Sequence, residues 1–291
     1  LVNLLLVVSC QTGVAPSTIN LPIGTIQGCS HTSPFNGKNV SGVEGIVTHK
    51  LKNGFTMQSA VADASDCTSD AIFVYTEDYP KVLPGELVSI EGIVKEYAEG
   101  DEDDHYLSIT EIQSTKIAVI KDQVQIPETI VLGRDVKNTP LNWIKQTSEF
   151  DIHTNGLDYY ESLEFMLVEV SSGVVVGVKN AYNEFYILPE DYKNENTLSE
   201  SGALFQTPED ENPEKIMVDV APTFDQNVNV GDKFTQPIKG ILIYEYGEYK
   251  IWTITDPILE ENEFADKEVE PSGGSLSIVT YNIENFSRFD D

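Results

Sequence analysis

The chain has 291 residues, of which 40% are hydrophobic and 23% charged, a composition that is typical of folded globular proteins and argues against a disordered chain. Its 18 Lys and Arg residues are outnumbered by 48 Asp and Glu residues, so the formal net charge is −30 at pH 7. Because Lys and Arg supply most of the affinity for phosphate backbones, this charge argues against tight nucleic-acid binding by the chain itself. It suits solubility or the binding of divalent cations.

Residues 1–22 have the pattern of an export signal followed by a short tether. The run LVNLLLVV at residues 1–8 is apolar but too short to span a bilayer, and no Met or basic residue precedes it, so we expect the sequence to start inside the signal. The stretch VVSC at residues 7–10 resembles the bacterial lipobox, which implies a lipid on Cys10 that anchors the protein to a membrane. The alternative is a plain secretory signal. Either way we expect an exported protein, at the cell surface or secreted.

Two further cysteines, Cys29 and Cys67, form an even pair in a chain that we expect to be exported. Such a pair predicts a disulfide in an oxidising compartment. Closing the loop between them would stabilise the fold by about 4 kcal/mol in the chain-entropy model. The alternative is two unpaired buried thiols.

Two sets of short β-branched runs follow, separated by Gly, Pro, Asn and Asp. The first set, in residues 23–122, is VEGIVTHKL, GFTMQSAV, AIFVYT, ELVSIEGIVKEY and YLSITEI. The second set, in residues 123–258, is FMLVEVSSGVVVGV, EFYIL, KIMVDV, DKFTQPIKGILIYEY and EYKIWTITD. The order GE, GI and EY at residues 85–97 recurs as GD, GI and EY at 231–246, which indicates a tandem duplication. The fold class that we predict is mainly β, with two tandem OB-fold-like Greek-key barrels of five strands each.

Three later segments complete the predicted organisation. Residues 189–213 are rich in Glu, Asn, Asp and Ser and predict a long loop inside the second module. Residues 259–275 are acidic and end in Pro and Gly-Gly, as linkers do. Residues 276–291 contain the alternating run LSIVTYN, which predicts the first strand of a further domain, too short here to fold as a unit.

The stretch LSIVTYNIEN resembles the first strand of the endonuclease/exonuclease/phosphatase superfamily, whose fold is the α/β DNase I-like sandwich. Upstream, IQGCSHTSPFNGKNVSGVEGIVTHKLKNGFTMQS, TSDAIFVYT and PGELVSIEGIVKEY are similar to the amino-terminal modules of secreted bacterial endonucleases, and LDYYESLEFMLVEV to their second module. The resemblance covers nearly the whole mature chain. It departs at Phe165, where a Gly would be usual.

The resemblance implies the amino-terminal accessory modules of an exported, metal-dependent nuclease that hydrolyses extracellular DNA. In this superfamily Mg²⁺ or another divalent cation polarises the phosphate while a His-Asp pair transfers protons. Of the needed Asn, Glu, paired Asp and His, only Asn282 can be carried over as a metal ligand, so we expect this chain to be inactive and the catalytic domain to lie past Asp291. Two alternatives stay open: a surface lipoprotein that binds an oligosaccharide, protein or cation, and a phosphodiesterase for lipids or nucleotides.

Two groups of residues are candidate sites within the modules. In EGDEDDHY, the side chains of Asp101, Asp103 and Asp104 could bind Ca²⁺, although acidic hairpin tips are usually only solvated. Aromatic residues recur at 244, 246, 249 and 252, where they could stack on bases or pack in a core. The histidines show no paired spacing, which favours structural or surface roles for His31, His49, His105 and His153.

Overall fold

The computed structural model describes the central part of the chain. The described ranges are residues 21–100, 105–133, 139–140, 144, 149–192, 198–199 and 202–262. Several predicted features lie outside these residues: the signal with Cys10, the acidic loop with Asp101, Asp103 and Asp104, most of the linker, and the last strand with Asn282. Within the described part, no helix is long and apolar enough to cross a membrane.

The first module is a closed five-stranded barrel preceded by a short helix. Its elements are α1 (Ile23–Gln27), β1 (Asn39–Leu51), β2 (Gly54–Gln58), β3 (Ala71–Tyr75), β4 (Leu87–Tyr97) and β5 (Ile109–Lys121). The strands close in the order β1-β2-β3-β5-β4, with β3 and β5 parallel and the other pairs antiparallel. This is the five-stranded Greek-key arrangement that the sequence predicted. The fifth strand is later and longer than the predicted run YLSITEI.

A single long strand, β1, pairs with both β2 and β4, and the barrel closes because this strand bends. Its pairing with β4 slips between Val40 and Val43, and Gly42 within the slip has a φ of 70°, a conformation that suits Gly. Alternate strand residues fill the interior, and Ile23 and Ile26 of α1 belong to the same buried cluster. Gly42 therefore lies where the first strand changes its pairing register.

The second module has more and shorter segments than the five strands predicted. They are β6 (Ile130–Val131), α2 (Gly156–Glu161), β7 (Leu167–Val170), β8 (Gly173–Val175), β9 (Glu184–Pro189), a 3₁₀ turn (Glu190–Tyr192), β10 (Ile216–Asp219), β11 (Lys233–Phe234), β12 (Ile238–Glu245) and β13 (Glu248–Thr253). Helix α2 begins after Asn155, whose side chain accepts a hydrogen bond from the N–H of Leu157.

The strand order of this sheet, β11-β8-β9-β10-β13-β12-β7-β6, repeats that of the first barrel. Strands β7 and β8 are two halves of one interrupted strand, and so are β11 and β12, because β7 pairs with β12 while β8 pairs with β11. Strands β10 and β13 are parallel, as β3 and β5 are in the first barrel. The second module is thus a barrel of the same Greek-key type with split strands, in agreement with the predicted fold class.

Candidate functional site

The two barrels meet where β3 of the first packs against the segment between α2 and β7 of the second. Ser69 donates a hydrogen bond from Oγ to the carbonyl oxygen of Glu164 at 2.6 Å, and the side-chain oxygen of Gln58 accepts one from the N–H of Leu167 at 3.1 Å. The ring of Phe73 lies 5.7 Å from that of Phe165, and Phe73 belongs to the hydrophobic core of the second barrel. The interface therefore combines side chain–backbone hydrogen bonds with the packing of buried aromatic rings.

Glu164 is a fully buried carboxylic acid at the centre of this interface. Its Oε2 accepts hydrogen bonds from the side-chain amide of Gln27 and the N–H of Thr110, both at 3.3 Å, while Oε1 has no partner among the described residues. Burial, and then the nearby charge of Glu161, raise the pKa of Glu164 well above its ordinary value of 4.5. Burial and the neighbouring negative charge therefore favour the protonated form of this side chain in the folded protein.

His31 reaches from the first barrel to helix α2 and places its ring between two carboxylates. Its Nε2 lies 2.7 Å from Oδ1 of Asp158 and its Nδ1 lies 3.1 Å from Oε2 of Glu161. Burial lowers the pKa of His31, but the hydrogen bonds and charges of Glu161 and Asp158 outweigh this effect and raise it above 6.5. Tyr249 of β13 donates its hydroxyl to the same Glu161 oxygen at 2.5 Å. We call His31, Asp158, Glu161, Glu164 and Tyr249 the acidic joint.

Beside the acidic joint, a cleft of about 460 Å³ opens between the barrels. Aromatic rings from both barrels line it, together with a few polar side chains. The aromatic lining consists of Phe73, Tyr75, Tyr97, Tyr106, Phe165, Tyr244, Tyr246 and Trp252. The polar lining consists of Lys52, Asn53, Glu99, Glu111, Gln113 and Glu245. A concave apolar wall with a few fixed polar groups is typical of small-molecule sites.

The four aromatic residues singled out from the sequence separate into two groups in the structure. Tyr244, Tyr246 and Trp252 line the cleft, whereas Tyr249 is buried in the acidic joint. The hydroxyl of Tyr244 accepts a hydrogen bond from the N–H of Leu107 at 3.1 Å, and Tyr246 is 63% exposed at the mouth. The sequence did not predict that residues of the first barrel line this cleft. The pattern of side chains along one strand does not show which strand of another module that strand will contact.

The carboxylates of the cleft differ in their burial, their hydrogen-bond partners and the charges near them. Glu111 is only 4% exposed, and its Oε1 accepts a hydrogen bond from Nε2 of Gln113 at 3.1 Å. Burial raises the pKa of Glu111, and burial together with the charge of Glu245 raises that of Glu99. Oε2 of Glu99 is buried and has no hydrogen-bond partner among the described residues. The charge of Lys250 partly opposes this effect at Glu99, whereas the pKa of Glu111 is lowered only by its hydrogen bond from Gln113.

A second recess of about 710 Å³ adjoins the cleft and centres on Lys250, whose side chain is 3% exposed. The ammonium nitrogen lies 2.6 Å from Glu184, 2.7 Å from Glu245 and 3.7 Å from Asp219. Burial, only partly offset by Lys250, raises the pKa of Asp219 to about 6. Glu245 therefore belongs to an ion-pair cluster in which three carboxylates share the single charge of Lys250.

The predicted disulfide between Cys29 and Cys67 is present, with the two Cα atoms 5.1 Å apart, so this prediction is confirmed.

The histidines do not form a shared site: His31 belongs to the acidic joint, His49 lies beside Trp252 with ring centroids 6.2 Å apart, and His105 and His153 are exposed. Within the described ranges no three His, Cys, Asp or Glu side chains are placed to hold a metal ion. The proposed ligands for Mg²⁺ and Ca²⁺ lie outside those ranges.

The fold and the cleft together define a protein of two tandem OB-like barrels with a ligand-sized site between them. Residues 119–263, which include the second barrel, match the family model described as a domain of unknown function, DUF8508. No curated protein matches the chain. A crystal structure of a deletion mutant of the single-stranded DNA binding protein from Thermus aquaticus is similar over 80% of this chain and 99% of that chain, with 12% identity and a TM-score of 0.21. A likeness at that TM-score carries no conclusion about function.

Proposed function

We propose that the two barrels form a binding module of an exported protein, and that the module holds a small ligand in the cleft between them. The observation that supports this most directly is that both barrels supply aromatic rings to one cleft of about 460 Å³. Pockets of this size and lining bury most of the surface of a small molecule. The ligand classes that the sequence left open were an oligosaccharide, a protein or a cation.

The walls of the cleft are held in place before any ligand arrives. The acidic joint fixes β13 against the first barrel, and the turn between β12 and β13 packs directly on the ring of Tyr106. A Cβ added at Gly247 in that turn would lie 2.9 Å from this ring, so the contact leaves no room for a side chain. A preorganised site loses little conformational entropy on binding, which favours affinity.

The binding proposal can be tested by tryptophan fluorescence, because the chain has two Trp residues, Trp143 and Trp252. The Trp143→Phe variant of the full chain leaves Trp252, in the cleft wall, as the one reporter. We expect a saturable change with at least one member of a panel of neutral oligosaccharides, organic cations and single-stranded DNA. Calorimetry should show that Trp252→Ala abolishes the same binding, while Phe205→Ala, an exposed aromatic outside the cleft, leaves it unchanged.

An absence of saturable binding across the panel would overturn the proposal. Equal losses in the Trp252→Ala and Phe205→Ala variants would also count against it, since general destabilisation would then explain both. Far-ultraviolet circular dichroism of each variant separates unfolding from a local effect on the cleft.

A second proposal rests on the sequence LSIVTYNIEN at residues 276–285. Its resemblance to the first strand of the endonuclease/exonuclease/phosphatase superfamily supports a role for the barrels as accessory modules of an exported nuclease. In this proposal a lipid on Cys10 anchors the protein, and the catalytic domain rather than the barrels binds extracellular DNA. The gene's complete product should then degrade DNA with added Mg²⁺ and lose this activity in the Asn282→Ala variant. A reading frame without downstream Glu, Asp and His in strand-end contexts would refute this proposal and leave the binding proposal intact.

A further inference from the structure

We propose that the cleft between the barrels binds an organic cation, a primary or quaternary ammonium group carried on an apolar stem. This inference rests on the proposed binding function and names the class of its ligand. It is carried by two features of the same cleft: a buried carboxylate with no cation beside it, and a wall of aromatic rings around it.

Glu111 is the carboxylate in question. Its hydrogen-bond partner is the neutral amide of Gln113, and no Lys or His nitrogen of the described residues lies within 4.0 Å of its carboxylate. Lys95 stands opposite Glu111 on β4 but makes no ion pair with it. A buried carboxylate without a counter-charge is unfavourable, and a ligand ammonium group entering the cleft would supply that charge.

The other charges of the cleft do not fill this role. Lys52 is exposed at the rim, and Glu245 is already paired with Lys250. Glu99 adds a second carboxylate whose Oε2 has no described partner. Among the described residues, Glu111 therefore has no cation within ion-pair distance, in a chain whose overall charge of −30 attracts cations and repels anions.

The aromatic wall suits the same ligand. The faces of Trp, Tyr and Phe rings attract cations, with a contribution of up to about 2 kcal/mol where water is excluded. Trp252, Tyr244 and Phe165 come from the second barrel, and Phe73 and Tyr75 from the first, so rings approach the cleft from both sides. An apolar stem would cover these rings, and the ammonium group would lie between them and Glu111.

Neutral sugars fit the observations less well. Sugar hydroxyls could donate hydrogen bonds to Glu111, but they would leave its charge uncompensated in a buried position. Anions and nucleic acids would place phosphate charge beside Glu99 and Glu111. Both classes serve as outcomes of the test.

The test uses the Trp143→Phe chain, titrated with choline, with spermidine, and with the neutral isostere of choline in which carbon replaces the nitrogen. We expect choline or spermidine to bind at least about tenfold more tightly than the neutral isostere binds, since removing the charge removes both the cation–π and the carboxylate contribution. Glu111→Gln should reduce this affinity about tenfold or more, whereas Glu91→Gln, on the exposed surface of β4, should leave it unchanged.

Equal affinity for choline and its isostere would overturn the inference and leave the binding function standing. Saturable binding of neutral oligosaccharides without any binding of the cations would do the same. If nothing in the panel binds, both the inference and the proposed function fall. The comparison of choline with its isostere needs no substitution at Glu111, so it decides the question even if the Glu111→Gln variant does not fold.

Discussion

Replacing Glu164 with Gln tests the charge state of the acidic joint. The carboxylic acid is fully buried, and its Oε2 accepts hydrogen bonds from Gln27 and Thr110. A Gln side chain has the same shape, and its carbonyl oxygen can accept those two hydrogen bonds. Its amide group would take the place of Oε1, which has no described partner. The variant therefore keeps a neutral side chain at position 164 and removes only the ability of that side chain to ionise.

The expected size of the effect follows from proton linkage. The pKa of Glu164 is raised well above 4.5 in the folded protein, so above about pH 4.5 the folded state keeps a proton that the unfolded chain releases. The contribution of Glu164 to the free energy of unfolding of the natural protein then falls with rising pH by about 1.4 kcal/mol per unit until the folded pKa is reached. The Gln variant lacks this loss, so its stability relative to the natural protein should increase by the same amount per unit. His31 titrates in both proteins, and its contribution largely cancels in the difference.

Urea unfolding, followed by tryptophan fluorescence at about pH 4, 5, 6 and 7, measures this difference directly. We expect the two proteins to be nearly equal in stability at the lowest pH and the variant to be the more stable at neutral pH. Glu91→Gln, at an exposed position, should show no such trend and provides the control. A difference between the Glu164→Gln variant and the natural protein that stays constant with pH would refute the reasoning, because Glu164 would then be ionised in the folded state.

Three further predictions concern stability, each measured by urea unfolding. Reducing the Cys29–Cys67 disulfide, or replacing both cysteines with Ser, should lower the free energy of unfolding by about 2 to 4 kcal/mol; an unchanged midpoint would contradict this. Phe165 has a φ of 60°, so Phe165→Gly should be about 1 kcal/mol more stable than Phe165→Ala, the reverse of the usual order, although both variants lose the packing of a buried ring. Lys250→Met should cost about 3 kcal/mol at neutral pH and less near pH 4, where the facing carboxylates take up protons; a cost independent of pH would count against the ion-pair cluster.

Much of the architecture could be predicted because it follows from local pattern. The β-branched runs and their Gly and Pro boundaries predicted two Greek-key barrels, and the strand orders of both modules agree with this. The even cysteine pair predicted the disulfide at Cys29 and Cys67. The predicted number of strand segments in the second module was wrong, because β7 and β8, like β11 and β12, are single strands interrupted by irregular residues.

Phe165 shows how far the sequence could go at a single position. The resemblance marked this residue as a place where a Gly is usual, and the structure gives it the left-handed backbone conformation that Gly adopts most readily. The sequence could not show which contacts offset the backbone strain at this position. The ring packs 5.7 Å from that of Phe73 in the other barrel, and the burial of both rings offsets the backbone strain.

The sequence by itself predicted the barrel fold class, the disulfide and the strong negative charge, since these follow from strand patterning, cysteine count and composition. The tertiary structure alone decided the acidic joint and the cleft. His31 meets Asp158 and Glu161 across more than a hundred residues of chain, and Trp252 shares a wall with Phe73 and Tyr75 only because two separate barrels face each other. The burial that raises the pKa of Glu164 and of Glu111 arises from this docking and cannot be predicted from either module alone.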